Sequence, residues 1–105
     1  MNDWQAFEAE MGRIISAETE KPFTPETIAQ ARDFLAAVRD RCPIPEVGKG
    51  YWSTIIFDWG LLQIEIFGDR LELYRFFDRR TEIRHVSHRL GEPFPPELMS
   101  ELPTL

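Results

Sequence analysis

The chain has 105 residues and carries 18 acidic against 12 basic side chains, a net charge of −6, and this length fits one α+β domain spanning residues 1–105. The acidic balance makes nucleic acid an unlikely partner, because nucleic-acid binding needs surplus lysine and arginine to displace counterions. No apolar run approaches the ~20 residues of a membrane span, and the start of the chain lacks a signal-peptide pattern.

Two helices are predicted before residue 42. Asn2 or Asp3 can cap the first helix, along which apolar residues such as Trp4 and Phe7 recur at helical spacing. The second helix starts with Thr24 as the N-cap and Pro25 at its first position. The prolines of the segment 43–50 end this helix, and we expect a linker and a Gly-Lys-Gly loop there.

An antiparallel meander of three or four strands is predicted next. Residues 51–59 are rich in aromatic and β-branched side chains and predict the first strand. Residues 61–67 and 70–77 predict a hairpin with a Gly-Asp turn, and residues 81–88 an edge strand whose register we cannot fix. Residues 96–99 predict a short C-terminal helix, with Phe94, Leu98 and Leu102 docking on the core. The fold class is therefore α+β, with two N-terminal helices on one face of the sheet.

The hairpin turn fixes which side chains share a face. One face carries isoleucine and leucine and is expected to form the core, whereas the other carries Glu65, Glu72 and Tyr74. Two unpaired carboxylates do not bury, so we expect this second face to meet water or a partner. The predicted cross-strand pairs are Ile66–Leu71, Glu65–Glu72, Ile64–Leu73 and Gln63–Tyr74.

The segment from residue 28 to residue 77 resembles a loose set of small, uncharacterised bacterial proteins. The resemblance rests on Pro43-Ile44-Pro45, on a strand ending in Asp58-Trp59, and on the alternating residues of "LQIEIF" and "LELY". It implies a helix followed by a meander and brings no activity with it. The chain departs from that pattern where "GKGY" replaces the Asp-Gly that often precedes the first strand.

The residue types that carry catalysis do not form a recognisable set, so we expect no enzyme, cofactor or metal. His85 and His88 are three apart, which on a strand places them on opposite faces, and we expect both at the surface. Glu65 and Glu72 could act as acid and base, although solvated surface acids are commoner. Cys42, the only cysteine, is expected to be a small buried residue in a protein of the reducing cytoplasm.

Two groups of side chains are candidates for partner binding besides the glutamate face. Tyr51 and Trp52 either anchor a partner or pack against the first helix or the tail. The segment 78–90 has a local charge of +2 and contains the only basic cluster. Its arginines either pair with the chain's own acids, including Glu65 and Glu72 across the sheet, or bind an acidic protein surface or a nucleic-acid backbone. These arginines are Arg79, Arg80, Arg84 and Arg89.

The sequence favours a small, acidic, non-catalytic protein that masks or inhibits a partner surface, as immunity proteins, antitoxins and phage-encoded anti-defence proteins do. The expected partner is a protein with a basic surface, because opposite charge speeds association. The candidate residues are Tyr51, Trp52, Glu65, Glu72, Tyr74, Arg79, Arg80 and Arg84. The alternatives are a homodimer formed through the edge strand at residues 81–88 and a small ligand-binding domain or enzyme.

Overall fold

The computed structural model describes residues 3–17 and 20–105 and has two helices, five strands and a short third helix. Every strand pairs antiparallel with the next, so the sheet order is β1-β2-β3-β4-β5. The predicted α+β fold is confirmed, with one or two strands more than expected. Of the two caps predicted for the first helix, Asn2 lies outside the described residues and Asp3 is itself the first helical residue. The elements are α1 Asp3–Ala17, α2 Pro25–Val38, β1 Glu46–Lys49, β2 Ile55–Asp58, β3 Leu62–Ile66, β4 Arg70–Phe76, β5 Thr81–Ser87 and α3 Pro96–Met99.

Helix α2 begins where its sequence predicts. The Thr24 hydroxyl oxygen accepts the Thr27 backbone N–H at 3.1 Å, and Pro25 holds the first helical position. Arg39 caps the other end and also pairs with Glu8 of α1 at 2.9 Å. No helix in the described ranges is long and apolar enough to cross a membrane.

The core lies between the helices and one face of the sheet. Helix α1 packs against β1 and α2 packs against β3. Phe34 of α2 lies at the centre, in edge contact with Phe57 of β2 and with Phe94 of the C-terminal segment. Cys42 is buried and is not in a disulfide, and burial raises the pKa of its thiol. The predicted docking of Phe94, Leu98 and Leu102 on this core is confirmed.

The segment 43–50 is not only a linker, because residues Glu46–Lys49 form β1 and pair with β2. Its four residues, "EVGK", contain a single β-branched side chain and follow two prolines, so they carry little strand signal. The strand forms because β2 offers a free edge and α1 packs against it.

The predicted first strand begins later than its composition indicates. Residues Tyr51 and Trp52 lie in the turn between β1 and β2, and Ser53 has a φ of 59°. This left-handed backbone cannot continue a strand, so the regular pairing starts at Ile55.

The β3–β4 hairpin has the predicted register, with Ile66 opposite Leu71 and Glu65 opposite Glu72. Strand β5 is the predicted edge strand, and its register is now fixed by the pairing of Glu72 with His85.

His88 was predicted at the surface and is instead buried, directly after β5. Its ring contacts the Gln30 side-chain carbonyl of α2 and lies 2.7 Å from the Glu92 carbonyl oxygen. The Gln30 amide donates to the His88 carbonyl at 3.1 Å, and the ring stacks 3.7 Å from Phe94. The ring N–H can donate to one of these two carbonyl oxygens, so the buried histidine has a hydrogen-bond partner within the protein.

Candidate functional site

The face of the sheet that is turned away from the helices is here called the open face. No helix or strand in the described part of the chain covers it. It carries alternate residues of each strand, as the register dictates. Its acidic residues on β1–β5 are Glu46, Asp58, Glu65 and Glu72, and Arg70 is its one arginine or lysine. The open face is therefore acidic.

Glu65 and Glu72, here called the carboxylate pair, were expected to be solvated and are instead buried, with exposed fractions of 9% and 8%. Burial is tolerated because neighbouring side chains offer hydrogen bonds. The Thr54 hydroxyl, itself buried, donates to Glu65 Oε2. The Tyr74 hydroxyl lies 2.9 Å from Glu65 Oε1 and 3.2 Å from Glu72 Oε2.

The Tyr74 hydroxyl bridges the carboxylate pair with a single hydrogen, which it can donate to only one oxygen at a time. Burial, followed by the hydrogen bond and charge of Glu65 and the charge of Glu72, raises the pKa of Tyr74 well above its ordinary value. Tyr74 therefore stays protonated and acts as a donor, because ionising it would place a third negative charge beside two carboxylates.

Glu72 has two further cationic or polar neighbours. His85 Nε2 lies 3.3 Å from Glu72 Oε1, and Arg70 Nε lies 4.0 Å from the same oxygen. Arg70 directs its guanidinium elsewhere, with Nη1 3.0 Å from Asp69 and its centre 3.9 Å from the centroid of the Phe67 ring. The carboxylate pair is therefore only partly neutralised by its own chain.

Gly50 makes room for the Thr54–Glu65 contact. A Cβ at this position would overlap Thr54 Oγ1 and lie 2.6 Å from Glu65 Oε2. The Gly50 N–H also donates to the Thr54 carbonyl at 2.8 Å, which closes the turn. A residue without a side chain is therefore needed at the base of the turn.

Tyr51 and Trp52, here called the aromatic tip, are each 72% exposed. Of the two interpretations left open by the sequence, packing against the first helix or the tail is thus excluded. The rings meet edge to face with centroids 4.7 Å apart, and the Lys21 ammonium lies 5.3 Å from the Tyr51 centroid. Tryptophan and tyrosine are enriched among the residues that contribute most to binding in protein interfaces.

The aromatic tip stands beside a depression in the open face, here called the open-face cavity, with a volume of about 320 Å³. Trp52 forms one wall and the carboxylate pair lies in its lining. Four of its six lining residues are polar or charged, which distinguishes it from the mostly apolar sites of small cofactors. The lining residues are Trp52, Glu65, Phe67, Arg70, Glu72 and Tyr74.

The predicted arginines do not join this site. Arg79 and Arg80 lie in the β4–β5 turn, at the opposite end of the sheet, where they line a depression of about 650 Å³ with Leu61 and Phe77. Arg80 pairs with Glu82 at 3.4 Å. Arg84 lies on the helix-side face of the sheet and donates to Glu101 at 2.6 Å. For Arg80 and Arg84, pairing with the chain's own acids is confirmed, although the acids are not Glu65 and Glu72.

Three residues of the site escaped the sequence prediction: Thr54, Phe67 and Arg70. The hairpin register already held the signal for Arg70, since it lies two residues before Glu72 and so shares its face. Thr54 had no such signal, because its position depends on the turn at Ser53.

The site offers binding chemistry of a specific kind: exposed aromatic surface, two carboxylates and one protonated phenol. Within the described residues, no group of three or more His, Cys, Asp or Glu side chains is arranged to hold a metal ion. In the same part of the chain, every buried side-chain nitrogen or oxygen has a hydrogen-bond partner.

Comparison with known proteins adds no relative: no family model, curated protein or solved structure matches this chain.

Proposed function

We propose that this protein is a non-catalytic binding protein that masks a basic surface of another protein, in the manner of an immunity protein, an antitoxin or a phage-encoded inhibitor of host defence. The observation that carries the proposal is the exposed aromatic tip, which stands beside two buried carboxylates on an uncovered sheet face. Most of the binding energy of an interface comes from a few residues near its centre, and tryptophan and tyrosine are enriched among them.

The charge of the open face supports a basic partner. Glu46 and Asp58 are cross-strand neighbours, as are Glu65 and Glu72, and Arg70 is the one arginine or lysine that the described strands place on the same face. Such a surface attracts positive charge over roughly one Debye length, about 8 Å at physiological salt. Attraction of this kind raises the association rate and excludes acidic competitors.

Affinity capture from a lysate of the native organism tests this function. Tagged wild-type protein is compared with a variant carrying Tyr51→Ala and Trp52→Ala. The matched control carries Leu61→Ala and Leu105→Ala, which remove exposed apolar side chains outside the open-face cavity. We expect one protein to be retained by the wild type and the control, lost from the tip variant, and released as salt rises from about 50 to about 500 mM. Retention that is equal in all three proteins, or no retained protein, would contradict the proposal.

Self-association is a second candidate function, and strand β5 is the observation that favours it. Six of its seven residues are exposed, including Ile83 at 56%. In the β4–β5 hairpin, the Phe77 N–H donates to the Arg80 carbonyl, and this bond identifies which cross-strand pairs are hydrogen-bonded. Alternate residues of β5 therefore direct their backbone N–H and C=O groups away from β4, where a second chain can pair with them. These residues are Thr81, Ile83, His85 and Ser87.

A further inference from the structure

The open-face cavity has more hydrogen-bond acceptors than donors. The carboxylate pair presents four oxygens with two lone pairs each. Against these stand the Thr54 hydroxyl, one phenolic hydrogen shared from Tyr74, and His85 Nε2 at 3.3 Å. Lone pairs are therefore left over for a donor that enters from outside.

Arg70, the arginine of the open face, does not form hydrogen bonds with these lone pairs. Arg70 Nε stays 4.0 Å from Glu72, beyond hydrogen-bonding distance, while the guanidinium is engaged by Asp69 and lies over the Phe67 ring. The cavity therefore keeps a negative charge that a cation from a partner can neutralise.

The wall of the cavity suits a planar cation. Trp52 lines the cavity and is 72% exposed, so much of its ring is open. A guanidinium stacks favourably on an indole, and its five N–H donors lie in one plane. A lysine ammonium offers only a point charge with three donors. A volume of about 320 Å³ suits a side chain rather than a large cofactor.

We infer that the open-face cavity receives an arginine side chain of the partner, whose guanidinium stacks on Trp52 and donates hydrogen bonds to Glu65 and Glu72. The inference rests on the proposed function, since it specifies how the open face recognises a basic protein surface. It identifies the arginine as the central contact and the remaining acids of the face as its surroundings.

A titration with a small arginine probe tests the inference without a known partner. Nα-acetyl-arginine amide is added to the full chain, and the NMR signals of the Trp52 indole N–H and the Thr54 amide are followed. Nα-acetyl-citrulline amide, which has the same shape without the charge, is the first control, and Nα-acetyl-lysine amide is the second. We expect saturable shifts with the arginine probe at millimolar concentration, weaker binding of the lysine probe and none of the citrulline probe.

Variants of the cavity sharpen the test. We expect the double substitution E65Q/E72Q, and separately W52A, to weaken arginine binding about tenfold, because each removes a charge-assisted bond or the stacking surface. Glu97→Gln on α3 removes one exposed acid outside the cavity and is the matched control. In W52A the indole signal is absent, so binding is followed through the Thr54 amide signal. The Trp52 side chain is largely exposed, so we expect W52A to fold, and it keeps the test valid if E65Q/E72Q unfolds.

Equal shifts with the arginine and citrulline probes, tighter binding of the lysine probe, unchanged binding in W52A, or no saturable shift would each overturn the inference. The two proposals fail separately. A captured partner that needs the aromatic tip, together with no arginine binding, leaves the proposed function standing and removes the arginine. Saturable arginine binding with no captured partner contradicts the proposed function and leaves the open-face cavity as an arginine-binding site.

Discussion

Tyr74 explains how two buried glutamates can lie opposite each other on one face of a sheet. Like charges that face each other across strands normally destabilise a sheet. Here the phenol lies 2.9 Å from one carboxylate and 3.2 Å from the other. Its hydrogen reduces the repulsion between Glu65 and Glu72, and Thr54 satisfies the remaining oxygen of Glu65.

Replacing Tyr74 by phenylalanine should change both stability and its dependence on pH. At neutral pH we expect a loss of about 1–3 kcal/mol, because a donor to buried carboxylates disappears. In the wild type the raised pKa of Tyr74 means that the folded state keeps its proton above about pH 10, where the unfolded phenol loses it. Stability therefore falls there by up to about 1.4 kcal/mol per pH unit through this group.

Urea unfolding at several values between about pH 9 and 11.5 checks this prediction. Tyr74→Phe should lose stability less steeply than the wild type above about pH 10. Tyr51→Phe, which alters the exposed tyrosine of the aromatic tip, should keep the wild-type slope. Cys42, whose thiol pKa is also raised by burial, adds an alkaline loss that is common to all three proteins. Identical slopes in the wild type and in Tyr74→Phe would show that the pKa of Tyr74 is not raised in the folded protein.

The residues of the site were partly predictable from the sequence, but contacts between segments that are distant in sequence were not. Alternation along the hairpin placed Glu65, Glu72 and Tyr74 on one face, and this is confirmed. Their burial was not predictable, because it depends on Thr54, which arrives from a different strand connection. A sequence pattern gives the face of a side chain but not the donors that approach it.

Among the elements, the turn between β1 and β2 brings the site together. It places Trp52 in the wall of the open-face cavity, and Thr54, which follows the turn, donates to Glu65. Two glycines near this turn differ in what surrounds them. A Cβ on Gly50 would overlap Thr54, whereas a Cβ on Gly48 would meet nothing within 4 Å.

Gly50→Ala should therefore destabilise the protein by about 1–3 kcal/mol, the usual cost of inserting atoms into a packed region. Thr54 is buried and its side chain is short, so it cannot move aside. Gly48→Ala is the matched control and should change stability by no more than about 0.5 kcal/mol. Chemical unfolding of both variants measures the difference. A Gly50→Ala protein as stable as Gly48→Ala would contradict the close packing described for this turn.

The elements were predictable where local chemistry dictates geometry. The Gly68-Asp69 turn fixes the register of β3 and β4, and Thr24 with Pro25 fixes the start of α2. Strand β1 was missed because a neighbouring strand and a helix stabilise it rather than its own residues. The position of Tyr51 and Trp52 depended on the left-handed backbone at Ser53, which composition does not reveal.

For the whole molecule, the two edges of the sheet are unequal. Strand β1 is short, follows two prolines and is packed by α1. Strand β5 is seven residues long, and six of these residues are exposed. A two-fold axis at Arg84 would pair Ile83 of one copy with His85 of the other, and Arg84 is already neutralised by Glu101 at 2.6 Å. We therefore expect self-association to use β5.

Salt separates the two candidate functions, because each copy carries a net charge of −6. Two such copies repel each other, so added salt should strengthen a β5 dimer and weaken the capture of a basic partner.

Sedimentation velocity at protein concentrations up to about 1 mM, well above a micromolar dissociation constant, measures the dimer. Ile83→Lys should abolish it, since a charge on an edge strand opposes pairing. Leu61→Lys, at an exposed position outside β5, should leave it intact. A wild-type protein that sediments as a monomer at every salt and protein concentration would remove the dimer and leave the open face as the interaction surface to pursue.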